Sequence, residues 1–388
     1  MNRSIDIWLV AIIGTMLVLG LIMVYSASAV VAGDWTGDGS RYMIRQVAAM
    51  AIGGGLAAIT ALTPTKAMRR YRWAIYGAIL VALVFTYIPG IQQSAKGAER
   101  WIGFGSVNLQ PSEFAKVGVL LVMAHFLDRW RGYMGDWRVL AQAALIPLPA
   151  LALILGQPYF GTTAIISGLC FIMLYVAGMR PAHILLVSMG GLAAGIPALV
   201  FEPYRLKRLV SFLAPFDDVH GSGHQIIQSW IAMHSGGLWG QGLGNSLAKL
   251  HFLPEPWTDF IGSVIAEELG WLRLVLVVAL FGAFVWRGLH IAHRARDAFG
   301  TFLAATITAM IGFEALFNFA VIMGLVPTKG LVLPFISYGS SAMIANLWAI
   351  GILLSIAAEA DEAPVTAGWP NRKRELPRST SSLPSVAK

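Results

Sequence analysis

Residues 7–27 read IWLVAIIGTMLVLGLIMVYSA, an apolar run without a charged side chain. A run of about 20 apolar residues can cross the hydrocarbon core of a bilayer as one helix. The stretch YSASA at its end imitates a signal-peptidase site, but the run is longer than the apolar region of a signal peptide. We therefore expect a first helix that stays in the membrane.

The composition extends this conclusion to the whole chain. Of 388 residues, 57% are hydrophobic and 12% are charged, about half the charged fraction of a soluble domain. The chain has one cysteine, Cys170, which excludes an intrachain disulfide. These features indicate a polytopic membrane protein.

We predict an all-α integral membrane protein with about ten transmembrane helices. The predicted spans are about 7–27, 46–63, 73–89, 111–127, 139–156, 161–178, 182–201, 260–286, 300–326 and 337–358. A single membrane domain then covers 1–358. The tail 359–388 is rich in Pro, Ser and charge and is predicted to be disordered in the cytoplasm.

Loop charge predicts the orientation. The basic residues cluster in 64–72, 128–138, 287–299 and the tail, and all four fall on one side if there are ten spans. The positive-inside rule then places both termini in the cytoplasm. This rule explains the net charge of +8, so we expect no nucleic-acid partner. The outward loops are 90–110, 327–336 and the large loop 202–259, between the seventh and eighth helices.

The outer loop 202–259 is too long to lack structure inside a compact protein. We predict short helices in it that lie at the membrane interface, with a solvated connector as the alternative. Its glycine-rich stretch GGLWGQGLGNS permits close backbone approach. That stretch lacks the spacing of a dinucleotide or phosphate-loop motif.

Two charged residues begin the fourth span. Glu113 and Lys116 are three residues apart, so they share a helical face and can pair. Lys116 then lies about 7 Å inside the span. Two readings stay open, namely a lysine that extends back to the interface and a functional pair that faces a polar cavity.

Three carboxylates mark the start of the eighth span. Asp259 directly precedes the apolar run, at the outer interface. At 100° per residue, Glu267 lies about 80° and Glu268 about 180° around the helix from Asp259. At least one glutamate is therefore predicted to be a structural hydrogen-bonding or ion-paired group. Arg273 and Glu314 are candidate counter-charges, since a lone buried charge costs several kcal/mol.

The remaining chemistry is sparse. Lys329, in LVPTKGLVLPFISYGSS, could supply a cation to an anionic headgroup, and a tight re-entrant turn held by Pro327, Gly330 and Pro334 is compatible with that role. The histidines lack metal-ligand spacing and no GxSxG motif occurs, so we expect neither a zinc site nor a serine hydrolase.

Two function classes fit this pattern. One is an enzyme that acts on a lipid-linked anionic substrate at the outer face, and the other is a flippase with charges along a path through the bundle. The candidate charges Glu113, Lys116, Asp259, Lys249 and Lys329 all fall on the outer side, which favours the enzyme.

Three long motifs in order resemble one family. RWIGFGSVNLQPSEFAK, QSWIAMHSGGLWGQGLGNSLAKLHFLPEPWTDFIGSVIAEELG and GLVPTKGLVLPFISYGSS are similar to the SEDS family (shape, elongation, division and sporulation). The resemblance covers nearly the whole chain. WGQGLGNSLAKLHFLPE and LVPTKGLVLPFISYG are most like the division members, with the elongation members second.

The resemblance implies a peptidoglycan glycosyltransferase in the bacterial inner membrane. Such enzymes polymerise lipid II at the outer face. They work with a class B penicillin-binding protein, which supplies the transpeptidase, and with other divisome membrane proteins. Residue by residue, the family's essential aspartate matches Asp259, its cavity pair matches Glu113 and Lys116, and an acid that alters activity matches Glu255.

The chemistry that follows is an inverting transfer. Asp259 would take the proton of the acceptor hydroxyl, and undecaprenyl diphosphate would leave. Cations would neutralise the diphosphate, and the candidates are Arg100, Arg205, Lys249, Lys329 and Lys116. No protein-bound metal and no nucleotide cofactor is expected, although a divalent cation could share the phosphate charge.

The sequence departs from the family at three positions. Trp257 replaces a usual histidine, His224 replaces a frequent tyrosine, and Glu314 replaces a usual glutamine. A lipid II flippase, a divisome scaffold with a degenerate site and an elongation polymerase remain as alternatives.

Overall fold

The protein is a bundle of α-helices with one small sheet. The structure, a computed structural model, describes residues 5–90, 92–95, 98–104, 107–157, 160–200, 210–218, 221–328 and 330–361. In these ranges the helices are α1 Ile7–Thr36, α2 Arg41–Leu62, α3 Thr65–Phe85, α4 Pro111–Arg129, α5 Trp137–Leu145, α6 Leu148–Gly156, α7 Phe160–Val176, α8 Pro181–Val200, α9 Ser222–Gly236, α10 Ile261–Leu269, α11 Trp271–Arg294, α12 Ala298–Ile322 and α13 Ser340–Asp361.

The all-α prediction was wrong for the loop between α3 and α4. Three strands, β1 Gln92–Ala95, β2 Ala98–Phe104 and β3 Val107–Leu109, form an antiparallel sheet in the order β1-β2-β3. Strand β2 carries a β-branched and aromatic run, which suits pairing in a sheet. The sheet leads directly into α4.

Helices occupy every predicted span, but they are not ten uniform spans. In the part of the chain that the structure describes, α1, α2, α11, α12 and α13 are long and apolar enough to cross a membrane. Taken together, α5 and α6 are also long and apolar enough to cross a membrane, with a bend of 44° between them. The protein is thus a multi-pass helical membrane protein, and the count of ten spans stays a prediction.

The bend between α5 and α6 has a local cause. Pro147 directly precedes α6, and a proline removes a backbone donor and clashes with the preceding turn. The hydroxyl of Tyr76 donates to the carbonyl oxygen of Ile146 at 2.7 Å. A neighbouring helix therefore satisfies one acceptor at the break.

Small residues let α2 and α13 approach closely. A Cβ built on Gly53 would lie 3.1 Å from the Cα of Ile344, and one on Gly351 would lie 2.7 Å from the Cα of Ala57. Gly53 and Gly351 therefore lie where the two helices contact each other backbone to backbone. Gly54 and Gly55 have nothing within 4 Å of a built Cβ.

The predicted continuous span 260–286 is wrong, because the chain breaks at Gly270 between α10 and α11. Gly270 has φ 86° and ψ 166°, a region that essentially only glycine adopts. Gly270 is buried, so the backbone groups that the break frees need partners within the protein.

The glycine-rich stretch supplies those partners. The amides of Gln241 and Gly242 donate to the carbonyl oxygens of Glu267 and Glu268, at 2.9 and 3.0 Å. In return, the amide of Trp271 donates to the carbonyl oxygen of Gly237 at 2.9 Å. The glycines of GGLWGQGLGNS therefore cap a broken helix.

The basic segments meet at one end of the bundle. Arg69 pairs with Asp128 at 2.9 Å and also with Asp297, so 64–72, 128–138 and 287–299 lie together, as loop charge predicts. Arg294 pairs with Asp361 at 3.0 Å at the end of α13. The assignment of this end to the cytoplasm stays a prediction.

Part of the large loop 202–259 is helical, with α9, a short 3₁₀ helix at Pro215–Asp218 and a π-helix at Ala248–Phe252. Their position at a membrane interface stays a prediction. The predicted disordered tail from 359 overlaps the end of α13, and its remainder, 362–388, lies outside the described residues.

We expect Gly270→Ala to destabilise the protein, because its φ is unfavourable for a Cβ and the new Cβ would collide with the carbonyl oxygen of Leu238. The backbone strain alone costs about 1–3 kcal/mol. Thermal unfolding in detergent measures the loss. Gly54→Ala in α2 is the matched control, and an equal melting temperature for the two variants would contradict the prediction.

Candidate active site

Asp259 lies directly before Phe260 and the buried helix α10, with a partly exposed side chain. The positive end of the helix dipole favours an ionised carboxylate at this position. A Cβ built on Gly330 would lie 3.6 Å from Oδ2 of Asp259. The carboxylate therefore faces the chain segment that follows α12.

That segment, residues 330–339, enters the bundle without forming a helix, and we call it the inserted segment. Leu333, Phe335, Ile336 and Ser337 are buried in it. Non-helical backbone at membrane depth is tolerated where protein surrounds it. The predicted re-entrant turn in this region is compatible with this burial and stays a prediction.

Side chains from several helices hold the inserted segment. Gln46 of α2 donates through Nε2 to the carbonyl oxygen of Ser337 at 3.1 Å. The hydroxyl of Ser337 accepts from the amide of Leu333 at 2.8 Å. In α1, a Cβ on Gly20 would lie 2.7 Å from the Cα of Ile336, so this close approach requires a glycine.

Glu255 forms the turn that precedes Asp259. It has φ 48°, an uncommon conformation for a residue with a side chain. Its carbonyl oxygen accepts from the amide of Thr258 at 3.1 Å and from the hydroxyl of Thr258 at 2.8 Å. Glu255 thus shapes the approach to Asp259, and its influence on activity stays a prediction.

Trp257, which stands where the family usually has a histidine, has a packing role. It is 3% exposed and packs on Tyr42 and Trp35, with ring centroids 4.9 and 6.3 Å away. Its carbonyl oxygen accepts from the amide of Tyr338 at 2.9 Å. The aromatic contacts fix the Asp259 loop against α1, α2 and the inserted segment.

A buried triad lies between α4 and α12. Nζ of Lys116 lies 2.8 Å from Oε2 of Glu113 and also pairs with Glu314. The side chains of Lys116 and Glu314 are each 3% exposed. The pairing predicted for Glu113 and Lys116 is confirmed, and the structure adds Glu314 as a second carboxylate. Lys116 does not extend back to the interface.

Glu267 and Glu268 bind the loop that follows α9. Glu268 lies 3.1 Å from Nζ of Lys249, and the single hydroxyl hydrogen of Ser26 is donated to its carboxylate, whose two oxygens lie 2.8 and 2.6 Å from Oγ. Glu267 accepts from the hydroxyl of Ser246 and from the amide of Leu247, the latter at 3.0 Å. Both glutamates are structural, as predicted for at least one.

The counter-charge predicted at Arg273 was wrong. Arg273 donates instead to the carbonyl oxygens of Trp239 and Leu269, at 2.7 and 2.8 Å. Glu314 was also misplaced, since it pairs with Lys116. The cation beside Glu268 is Lys249, 4% exposed, so its ammonium is committed to the protein and is not presented to a diphosphate.

The remaining cations predicted to bind the diphosphate are Arg100, Arg205 and Lys329. Arg100 lies on β2 and is partly buried. Arg205 and Lys329 lie outside the described residues.

His224 contacts the carbonyl oxygen of Phe252 through Nε2 at 2.9 Å. Among the described residues, no group of three or more His, Cys, Asp or Glu side chains could hold a metal ion.

Sequence reasoning missed Asn318 of α12. It is 1% exposed and its Nδ2 donates to the carbonyl oxygens of Asp259 and Leu331, both at 2.8 Å. A lone amide in the apolar run ALFNFAVI was an available signal, since polar residues inside membrane helices are costly. The partners, however, are backbone atoms, which no side-chain pattern reveals.

We expect Lys249→Met to lower the melting temperature markedly, because it leaves the Glu268 carboxylate buried without its cation, a change that costs about 3–5 kcal/mol. Adding Glu268→Gln to the same chain should restore part of the loss. Lys66→Met, at an exposed position, is the control. Unchanged thermal stability of Lys249→Met would instead indicate a ligand-binding role.

Comparison with known proteins identifies the relatives of this chain. The model of the FtsW/RodA/SpoVE family, described as cell cycle proteins, matches residues 7–362. A probable peptidoglycan glycosyltransferase FtsW from Trichlorobacter lovleyi is 40% identical over 366 residues, 93% of this chain and 95% of that protein. Stage V sporulation protein E from Bacillus subtilis is 38% identical, over 92% of this chain and 97% of that protein.

Solved structures share the fold. A chain of a peptidoglycan synthase complex, solved to study the coordination of polymerization and crosslinking, matches with TM-score 0.76 and 26% identity over 93% of this chain and 99% of that one. The rod shape determining protein RodA from Thermus thermophilus matches with TM-score 0.68 and 26% identity over 92% and 97%. The chain therefore belongs to the FtsW/RodA/SpoVE family of cell cycle proteins.

Proposed function

We propose that this protein is a peptidoglycan glycosyltransferase that polymerises lipid II into β-1,4 glycan strands. The observation that carries the proposal is the Asp259 carboxylate, partly exposed at the start of a buried helix and held beside the inserted segment. The FtsW relatives, about 40% identical, are named as probable enzymes of this class.

Asp259 acts as the general base. The 4-hydroxyl of the acceptor sugar attacks the anomeric carbon of the donor, and the carboxylate takes the hydroxyl proton. The bond from the anomeric carbon to undecaprenyl diphosphate breaks, so the configuration inverts. The diphosphate is itself the activated leaving group, and no nucleotide is consumed.

In this proposal, cationic side chains stabilise the negative charge on the departing diphosphate. We assign this role to Arg100, Arg205 and Lys329. Lys329 directly precedes Gly330, which lies against the Asp259 carboxylate. Lys116 and Lys249 are buried in ion pairs, so they are better suited to holding protein segments together than to binding the diphosphate. A divalent cation carried in with the diphosphate could add to the charge.

The site opens to the outer face of the bacterial inner membrane in this proposal. The basic segments that the Arg69 ion pairs bring together would then face the cytoplasm under the positive-inside rule. A class B penicillin-binding protein is the proposed partner and crosslinks the glycan product. The structural match to a chain of a peptidoglycan synthase complex supports this pairing, and other divisome membrane proteins would join it.

We expect Asp259→Asn to abolish glycan polymerisation, because the amide cannot accept the hydroxyl proton. The assay uses purified full-length protein and lipid II, with the glycan product separated on a gel. The removal of one catalytic base lowers turnover by about 10²–10⁴-fold. Asp217→Asn, at an exposed position in the large loop, is the matched control and should polymerise normally.

Full polymerisation by Asp259→Asn would overturn the assignment of the base. A wild-type protein that moves lipid II across vesicle membranes without making glycan would favour the flippase alternative. A protein with neither activity, alone or with its transpeptidase partner, would favour a scaffold.

A division role is supported by the relatives, since the FtsW protein is 40% identical and RodA is 26% identical. Depletion of the protein in its own host should therefore give long filaments, because septal wall synthesis stops while side-wall synthesis continues. Round cells on depletion, scored by microscopy, would point to the elongation role instead.

A further inference from the structure

We propose that Asn318 is a positioning residue that holds the Asp259 loop and the inserted segment at a fixed separation. The inference rests on the proposed function, in which Asp259 is the base. Asn318 itself need not touch the substrate, because it acts through the backbone on either side of the reactive carboxylate.

The geometry is a bridge between two non-helical segments. Nδ2 of Asn318 lies 2.8 Å from the carbonyl oxygen of Asp259 and 2.8 Å from that of Leu331. One carbonyl belongs to the base itself. The other belongs to the residue after Gly330, whose built Cβ would lie 3.6 Å from Oδ2 of Asp259.

The two carbonyl oxygens determine the orientation of the amide. An amide nitrogen carries two hydrogens and an amide oxygen carries none, so only Nδ2 can face both acceptors. Oδ1 is buried and has no hydrogen-bond partner among the described residues. The side chain is thus used for its two donors, and both go to main-chain atoms beside the carboxylate.

Asn318 contributes a contact at the base itself. Trp257 accepts from the amide of Tyr338 in the inserted segment, and Thr258 bonds back to Glu255, whereas Asn318 bonds the carbonyl oxygen of Asp259. Asn318 joins the base to α12, a helix buried over most of its length. That helix is a rigid support, of the kind a catalytic group needs.

Buried polar groups extend from Asn318 into the bundle. Glu314 lies one turn before it on α12 and pairs with Lys116 of α4. Residues four apart lie on the same face of a helix, so α12 presents to one side both the amide that holds Asp259 and the carboxylate of the triad. The position of the base is therefore linked to the packing of α4 against α12.

The test is Asn318→Ala in the full chain, assayed for lipid II polymerisation. A misplacement of about 1 Å can lower turnover by about 100-fold, so we expect kcat to fall about 10- to 100-fold. KM for lipid II should stay within about twofold, because the substrate contacts are untouched. Asn318→Gln keeps both donors and should retain more turnover than Asn318→Ala or Asn318→Leu.

Thr308→Ala is the matched control. Thr308 is a buried polar residue about 15 Å along the axis of the same helix from Asn318, and its hydroxyl donates to the carbonyl oxygen of Ala304 at 2.7 Å. It should lose stability without losing turnover per folded molecule, as measured by melting and by size-exclusion chromatography.

A second measurement separates positioning from folding. In an Asp259→Glu background, the longer side chain already displaces the carboxylate, so Asn318→Ala should reduce kcat less than it does in the wild type. Equal reductions in the two backgrounds would overturn the inference. So would activity losses in Asn318→Ala and Asn318→Leu that match their loss of folded protein.

The two proposals fail differently. If Asp259→Asn polymerises normally, the proposed base is wrong and the inference falls with it. If Asp259→Asn is inactive while Asn318→Ala keeps wild-type kcat, only the positioning role is overturned.

Discussion

The structure depends on one constraint, which is that every backbone group freed inside an apolar bundle must find a partner in the protein. Two segments interrupt the regular hydrogen bonding of the helices, namely the break at Gly270 and the inserted segment 330–339. At the first, the freed backbone groups form hydrogen bonds with the backbone of Gln241, Gly242 and Gly237. At the second, backbone groups form hydrogen bonds with the side chains of Gln46 and Ser337. Helix α10 joins the two features, since Gly270 ends it and Asp259, at its start, lies beside the inserted segment.

Buried carboxylates serve the same architecture. Glu267 and Glu268 bind the loop after α9 through Lys249, Ser246 and backbone amides. Lys116 joins Glu113 to Glu314. A buried ion pair adds little net stability, but the loss of one partner strongly destabilises the folded protein. These pairs therefore specify which segments pack together. Of the acids near the loop, Asp259 is the one that combines partial exposure with the start of a buried helix.

The sequence predicted much of this arrangement. Apolar run length located the helices, loop charge brought three basic segments to one end, and residue spacing placed Glu113 beside Lys116. Helical phase predicted that at least one of Glu267 and Glu268 is structural, although Asp259 lies before α10 and not on it. The failures share a cause, because the broken span at Gly270, the sheet before α4 and the partners of Lys249 and Arg273 all depend on contacts between distant segments.

The sequence by itself determined a multi-pass helical membrane protein, its family motifs and the candidate base, since hydropathy, charge and motif order are local properties. Only the tertiary structure decided that Lys249 is a structural cation, that Trp257 packs on Tyr42, and that Asn318 bridges Asp259 and Leu331. Those outcomes depend on which backbone carbonyls and side chains come into contact. The contacting groups are far apart in the sequence, so only the folded structure brings them together.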